Sequence, residues 1–295
     1  MGRALGTSTI MKCHVLAGVC RAQTRAFVKV LLLFAVTMGL ATQIFAAPKV
    51  LVAEKRPASV SAVYRISFGV FGDIGVYRFK SKLRGEKYNL VAVAKVETKV
   101  LDYSAVMRSS GSLVSSELKP EKHMFRFKQD PLIGKRKRST LNMAFDGSGV
   151  KKVKFVPKDS PSKHVIPVVE QDLQNVLDPL SAVMALSLDD KKDVCKRTLS
   201  VFDGKRRFDL IFKPKRGVSR NVVCLVRFVP ISGHRKDEDR SVITGNAEVV
   251  LRRVPNANIV IPSRITVPTI AGNAVLTSDQ VVITMPDRKR IAFRR

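Results

Sequence analysis

The chain has 295 residues, of which 45% are hydrophobic and 26% charged, a balance typical of a folded globular protein and unlike that of a disordered chain. Its formal charge of +29 and its pI near 10.5 favour anionic partners such as phospholipid headgroups, acidic polymers or nucleic acid. Since Trp is absent and Tyr is rare, we expect a core of Val, Ile, Leu and Phe.

The amino end carries a predicted export signal. An uncharged apolar run of about a dozen residues, 30–41, follows a basic head segment and precedes small residues, the order found in secretory signal peptides. Cleavage after Ala46 would make 1–46 a cleaved signal peptide and 47–295 a single β-rich domain. An uncleaved membrane anchor is the alternative, but a spanning helix needs about 20 apolar residues. Because the basic head segment is long for a signal peptide, Met11 is a second possible translation start.

Export through such a signal places the mature domain in the periplasm. Residues 1–46 hold five of the 53 basic residues and no acidic ones, so the remainder keeps 48 basic against 24 acidic residues, a charge of about +24. Contact with a membrane surface is therefore one expectation for the exported domain. A solvated basic surface without a ligand is the other.

Alternating apolar and polar residues, separated by turn residues, predict β-strands through most of the mature chain. The predicted strands span 61–68, 74–79, 88–97, 105–114, 123–128, 139–145, 150–155, 194–202, 207–212, 222–229, 247–254, 259–270 and 274–284.

One region departs from this period. Residues 171–177 and 178–186 are predicted helical, with Asp178 as the capping residue and Pro179 in the first turn. Leu180, Val183 and Met184 give the second segment an apolar stripe that can pack on a sheet. Many strands, this helical region and no alternation of strand and helix predict an antiparallel sheet.

The mature chain keeps two cysteines, Cys195 and Cys224. An even pair in an exported domain predicts a disulfide. If the segments around Cys195, Phe208 and Cys224 formed a flat meander, the middle strand would hold the sulfurs apart, because a disulfide needs Cα atoms within about 7 Å. Bridging therefore requires a curl, a bulge or another pairing, and two buried thiols are the alternative.

Signatures of catalysis and cofactor binding are missing. The sequence has no Gly-x-Ser-x-Gly elbow, phosphate-binding loop or His-Glu-x-x-His helix, and neither a Cys-x-x-Cys pair nor a histidine cluster for a metal. The histidines are isolated along the chain, although Cys195 and His234 could still meet in space as a nucleophile and base. We expect no enzyme, no metal and no cofactor.

A basic cluster comprises Lys135, Arg136, Lys137 and Arg138. It lacks the interleaved aromatic residues that stack on bases, and an exported protein rarely meets nucleic acid. The favoured interpretation of this patch is a plain solvated loop, and the alternative is a patch that binds membrane or glycolipid phosphate, which is a better partner than nucleic acid.

Four segments carry a family resemblance: 178–181 (Asp-Pro-Leu-Ser), 202–210 (Phe-Asp-Gly-Lys-Arg-Arg-Phe-Asp-Leu), 230–234 (Pro-Ile-Ser-Gly-His) and 262–272, which begins Pro-Ser-Arg-Ile. With these, the chain from about 64 to 282 resembles the exported bacterial family called domain of unknown function 3108. The resemblance implies a strongly curved antiparallel sheet, or open barrel, wrapped around one central helix, similar to the periplasmic lipoprotein carriers. It implies no active site.

Three functions follow from these expectations. The leading one is a non-enzymatic envelope protein that binds a lipid or another hydrophobic or anionic envelope component, which an apolar pocket of several hundred Å³ would support. A filled interior would favour a structural or protein-interaction module that uses its outer surface. A hydrolase is the third, and it needs a Cys, Ser or Asp with a His partner in a cleft.

Overall fold

The computed structural model of the chain describes residues 56–158, 165–188, 194–216, 222–235 and 243–294. The apolar run 30–41, Ala46 and the whole of 1–46 lie outside the described residues. The described residues belong to one compact unit that spans 52–295.

Fourteen strands and one α-helix make up the described part. The strands are β1 (Ser59–Phe68), β2 (Asp73–Arg84), β3 (Lys87–Glu97), β4 (Leu101–Val114), β5 (Glu117–Pro131), β6 (Lys137–Phe145), β7 (Val150–Val156), β8 (Arg197–Phe202), β9 (Arg207–Pro214), β10 (Val222–Ser232), β11 (Ala247–Val254), β12 (Ile259–Thr269), β13 (Gly272–Thr284) and β14 (Arg290–Arg294). The helix is α1 (Pro179–Ser187).

All fourteen strands lie in one antiparallel sheet, in the order β7-β6-β5-β4-β3-β2-β1-β13-β12-β11-β10-β9-β8. β14, which the sequence did not predict, pairs with the second half of β13, while β12 pairs with the first half. The prediction of a mainly antiparallel β fold is confirmed. Each strand alternates between an inner face, which holds the core, and an outer face that carries polar and charged residues.

The sheet is β-barrel-like without closing into a hydrogen-bonded barrel. Its end strands β7 and β8 do not pair, and the segment 174–177 lies between them. Gln174 forms an isolated bridge with Gly149, and Leu177 forms one with Val201. Phe202 of β8 packs in the same buried cluster as Leu141 of β6, which brings the two ends of the sheet together.

The helical prediction holds for the second segment only. Asp178 caps α1 by accepting hydrogen bonds from the backbone N–H groups of Leu180 and Ser181, and Pro179 occupies the first turn. Residues 171–177 do not form an α-helix. A 3-10 turn covers Glu170–Leu173. A helix does not continue after it, because Asn175 has a φ of 52° and the N–H and C=O of Leu177 bond to β8.

α1 packs against both halves of the sheet, and different residues of the helix contact each half. Leu180 and Met184 pack with Tyr88 and Leu90 of β3, whereas Leu186 packs in the cluster around the two cysteines. Five of the nine α1 residues are buried. In the described ranges, no helix is long and apolar enough to cross a bilayer.

Candidate functional site

The predicted disulfide is confirmed. Cys195 and Cys224 are bridged with their Cα atoms 5.2 Å apart, and both are fully buried. If the β8–β9 register continued past the end of β8, Cys195 would lie opposite Pro214 of β9, and Cys224 of β10 lies opposite the same residue from the other side. In a flat sheet the two cysteines would then be about 9.6 Å apart. The bridge forms because Cys195 precedes β8 and lies on the inner face of the sheet. The middle strand, β9, therefore does not hold it away from Cys224 as it would in a flat meander.

A buried polar network surrounds the start of α1. Ser109 of β4 donates a hydrogen bond to Asp178 Oδ1 at 2.6 Å, and Ser181 donates to Oδ2 at 2.5 Å. His123 Nδ1 of β5 lies 3.0 Å from Asp178 Oδ1. The hydroxyl of Tyr88 on β3 lies 2.9 Å from the Ser181 hydroxyl. The network thus joins three neighbouring strands to the cap of the helix.

The network contains a serine, a histidine and an aspartate, but its geometry differs from that of a catalytic triad. In a triad the aspartate and the serine contact different nitrogens of the histidine ring. Here Ser109 Oγ and Asp178 Oδ1 both lie at His123 Nδ1, at 2.9 and 3.0 Å. All three side chains are buried, at most 3% exposed. The arrangement satisfies a buried carboxylate and presents no accessible nucleophile.

The electrostatics of the network agree with this role. Burial by itself raises the pKa of the Asp178 carboxyl, but the hydrogen bonds from His123, Ser109 and Ser181 outweigh burial and hold this pKa below its ordinary value. Burial raises the pKa of the Tyr88 phenol. His123, which is isolated along the chain, meets Ser109 and Asp178 in space because strand register brings together residues far apart in the sequence.

The possible nucleophile and base pair of Cys195 with His234 does not form. Cys195 is held in the disulfide and cannot act as a thiolate with His234. The His234 ring packs edge-on against Phe208 and Phe228 instead. Across the described ranges, no group of three or more His, Cys, Asp or Glu side chains could hold a metal ion.

The inner face encloses an apolar cavity between α1 and the sheet. Its volume is about 150 Å³, and its lining includes Tyr64, Tyr77, Phe79, Met184 and Ile261. Pockets for small molecules typically measure about 300–1,000 Å³. The cavity is therefore too small for a lipid-like ligand without rearrangement.

A larger open cleft of about 830 Å³ lies at the end of the sheet opposite the β5–β6 turn. Its walls include Ser115, Ser116, Lys119 and Asn175 as well as apolar residues. This mixed lining differs from the apolar lining that would support an acyl-chain site.

The outer face of β2–β7 is strongly basic. Ten exposed lysines and arginines, here called the basic face, alternate along these strands: Arg78, Lys80, Lys82, Arg84, Arg108, Lys122, Arg126, Lys128, Lys152 and Lys154. None of the ten makes an ion pair with any acid in the described part of the chain. Nearby acids, such as Glu97, Glu117 and Glu121, pair with other lysines instead.

The basic face contains a shallow groove of about 510 Å³ that is lined by four of these cations. The cross-strand registers place Arg108 and Lys154 in one row with Asn142, and Lys122 and Lys152 in the adjacent row. The side-chain amide of Asn142 adds a hydrogen-bond donor between the cations. An elongated anion that lies across β4–β7 can contact all four cations.

The predicted patch lies at one end of the basic face, where Arg138 is directly opposite Lys128. Lys135 and Arg136 belong to the β5–β6 turn, and Lys137 and Arg138 begin β6. All four are exposed, and Arg136 lies 3.4 Å from Asp130. The basic face was not predicted, although every second residue from Arg78 to Arg84 is basic and this period of two is a signal for it.

Comparisons with known proteins give similarity to solved structures alone. No family model matches the chain, and no curated protein matches it. A β-barrel-like protein of domain of unknown function DUF1849 from Brucella abortus shares 10% identity with a TM-score of 0.42, covering 78% of this chain and 99% of that one. The hypothetical protein CT021 from Chlamydia trachomatis also shares 10% identity, with a TM-score of 0.23 and coverage of 76% and 85%.

Proposed function

We propose that this protein is a non-enzymatic periplasmic protein that binds an anionic component of the cell envelope on the basic face. The ligand would carry repeated phosphate or carboxylate groups, as phosphorylated glycolipids and acidic polymers do. The observation that supports this proposal is the set of ten exposed cations on one side of six adjacent strands, none of which pairs with an acid among the residues that the structure describes.

The charge distribution gives the physical reason. Like charges on one surface repel each other and destabilise the folded state. A polyanion removes that repulsion, and its binding releases condensed counterions, as established for nucleic acids. The groove lined by Arg108, Lys122, Lys152 and Lys154 is the part of the surface that best fits an extended anionic chain.

The interior supports an outer-surface ligand over a carried lipid. The cavity of about 150 Å³ beside α1 is smaller than an acyl-chain carrier requires. Our proposal retains the arrangement of domain 3108 and the lipoprotein carriers, in which a curved sheet surrounds a central helix. The contacts of α1 with both halves of the sheet support that arrangement. We do not extend it to carriage of acyl chains.

The proposed compartment depends on the signal at 1–46 with cleavage after Ala46. The bridge between Cys195 and Cys224 supports it, because disulfides persist mainly in oxidising compartments. A protein-interaction module of the envelope is the second candidate, and the small size of the interior cavity, about 150 Å³, favours it equally. In that case, the ligand of the basic face would be an acidic surface of another protein.

The test replaces the four groove cations together, as R108Q/K122Q/K152Q/K154Q. Binding to labelled long-chain inorganic polyphosphate is followed by fluorescence anisotropy at low and moderate NaCl. If each cation contributes about 1 kcal/mol, as cations near an anionic membrane surface do, we expect affinity at low salt to fall by roughly 10²–10³-fold. The affinity of the unmodified protein should decrease as NaCl increases.

The matched control removes the same charge elsewhere, as K213Q/R227Q/R290Q/R294Q on β9, β10 and β14, where all four side chains are exposed. We expect this control to retain most of the affinity. An equal loss in both variants would show that only net charge matters, and absence of binding by the unmodified protein would refute the proposal outright.

A further inference from the structure

The most exposed apolar side chains of the described residues all lie at one end of the sheet. Thirteen large hydrophobic residues are exposed, and six of them exceed 60%. These six, here called the apolar edge, are Val70, Phe71, Val100, Leu132, Ile133 and Ile270, at 62–98% exposure. Each lies in a turn between two strands.

Strand topology explains why four turns share this end. Turns between successive antiparallel strands alternate between the two ends of a sheet, so the β1–β2, β3–β4 and β5–β6 turns fall on the same end. The pairing of Phe68 with Ala274 adds the β12–β13 turn.

Direct contacts join the turns in pairs. The N–H of Leu132 donates to the C=O of Val100 at 2.9 Å, which links the β5–β6 turn to the β3–β4 turn. A Cβ added to Gly272 would lie 3.0 Å from the Cα of Gly69, which shows how closely the β12–β13 and β1–β2 turns approach. The apolar edge is thus a row of adjacent turn tips.

Cations flank the apolar side chains on this end. Lys135 and Arg136 follow Leu132 and Ile133 in the same turn, Lys137 and Arg138 continue into β6, and Lys99 precedes Val100. All five are exposed. Apolar tips beside lysine and arginine are the composition of interfacial membrane anchors, in which the apolar part enters the acyl boundary and the cations meet lipid phosphates.

We propose that the apolar edge inserts into the surface of an anionic lipid bilayer, with Lys99, Lys135, Arg136, Lys137 and Arg138 at the headgroups. A bilayer fits this edge better than a protein partner, because the six side chains lie on four separate turn tips with cations beside them. A fluid interface accommodates separate tips, whereas a protein would need a matching pocket for each. The five cations of this proposal are different residues from the ten of the basic face, although Arg138 is the cross-strand neighbour of Lys128.

The absence of Trp from the whole sequence allows a position-specific test in the full chain. Phe71→Trp and Ile133→Trp place a single fluorophore on the apolar edge, and Val114→Trp places one in an exposed position at the opposite end. Each variant is mixed with equimolar phosphatidylglycerol–phosphatidylcholine vesicles, with and without brominated acyl chains. Since each Trp reports its own depth, an apolar segment elsewhere in the chain does not confound the comparison.

We expect a blue shift and bromine quenching at positions 71 and 133, and neither at position 114. Introducing K135Q/R136Q/K137Q/R138Q into the Ile133→Trp protein should weaken its binding to the vesicles by roughly 10²-fold or more. K213Q/R227Q/R290Q/R294Q, which removes the same charge from exposed positions outside both surfaces, should leave quenching at position 133 intact, so that an effect of net charge alone is distinguished from this proposal. No shift at 71 and 133, or an equal shift at 114, would overturn the proposal.

Discussion

Replacing Asp178 by Ala is expected to destabilise the fold by about 3–5 kcal/mol, the range for breaking a buried charged pair. The carboxylate accepts two backbone N–H bonds, from Leu180 and Ser181, each at 3.0 Å. Losing such a cap alone costs about 1 kcal/mol. The hydroxyls of Ser109 and Ser181 also donate to it, and hydrogen bonds to a charged group contribute about 1.5–3 kcal/mol each.

Urea unfolding followed by circular dichroism measures the change. Asp178→Asn keeps the shape and one acceptor oxygen, so we expect a smaller loss of about 1–3 kcal/mol. Asp172→Ala is the control, because this exposed carboxylate accepts one backbone N–H, from Val169 at 3.1 Å. Its loss should stay below about 1 kcal/mol. A loss of only about 1 kcal/mol for Asp178→Ala would reduce its role to that of an ordinary cap and refute the network reasoning.

The same variants have a pH signature. Because the folded-state pKa of Asp178 lies below its ordinary value of 3.8, its ionised form contributes stability at pH values above that unfolded value. The contribution is lost as the pH falls through the folded-state pKa. We therefore expect the stability difference between the unmodified protein and Asp178→Asn to be constant near neutral pH and to shrink in acid. A difference that grows on acidification would contradict the assignment.

Two further predictions concern the disulfide and the tyrosines. Replacing Cys195 and Cys224 together by Ser should lower the unfolding free energy by about 3–4 kcal/mol in the chain-entropy model, measured by urea unfolding with and without reductant; an unchanged midpoint would refute it. Burial raises the pKa of Tyr77 to about 12 and also raises that of Tyr64, Tyr88 and Tyr103. Ultraviolet titration should therefore show little tyrosinate near pH 10 until the protein unfolds, and four tyrosines titrating normally would disprove this burial.

The sequence predicted the class of fold because strand signals are local. Alternation of apolar and polar residues marks a half-buried strand wherever it occurs, and the predicted strand 247–254 matches β11 at both ends. Asp178 and Pro179 marked the start of α1 for an equally local reason. Residues 171–177 misled the prediction because their backbone groups bond to distant strands, which outweighs helix propensity. The last strand, β14, was missed among the charged residues of the tail.

The candidate sites divide in the same way. The sequence alone established the net charge, the cysteine pair and the cluster from Lys135 to Arg138, because composition and neighbours along the chain suffice for these. Only the tertiary structure decided that His123 meets Ser109 and Asp178, that the cations of β2–β7 share one face, and that four turns bring their apolar tips to one end. These features depend on cross-strand register and on which strands are neighbours, because the contacts join residues tens to hundreds of positions apart. The period of two in β2 marks the cations of that strand but does not identify the strands beside it.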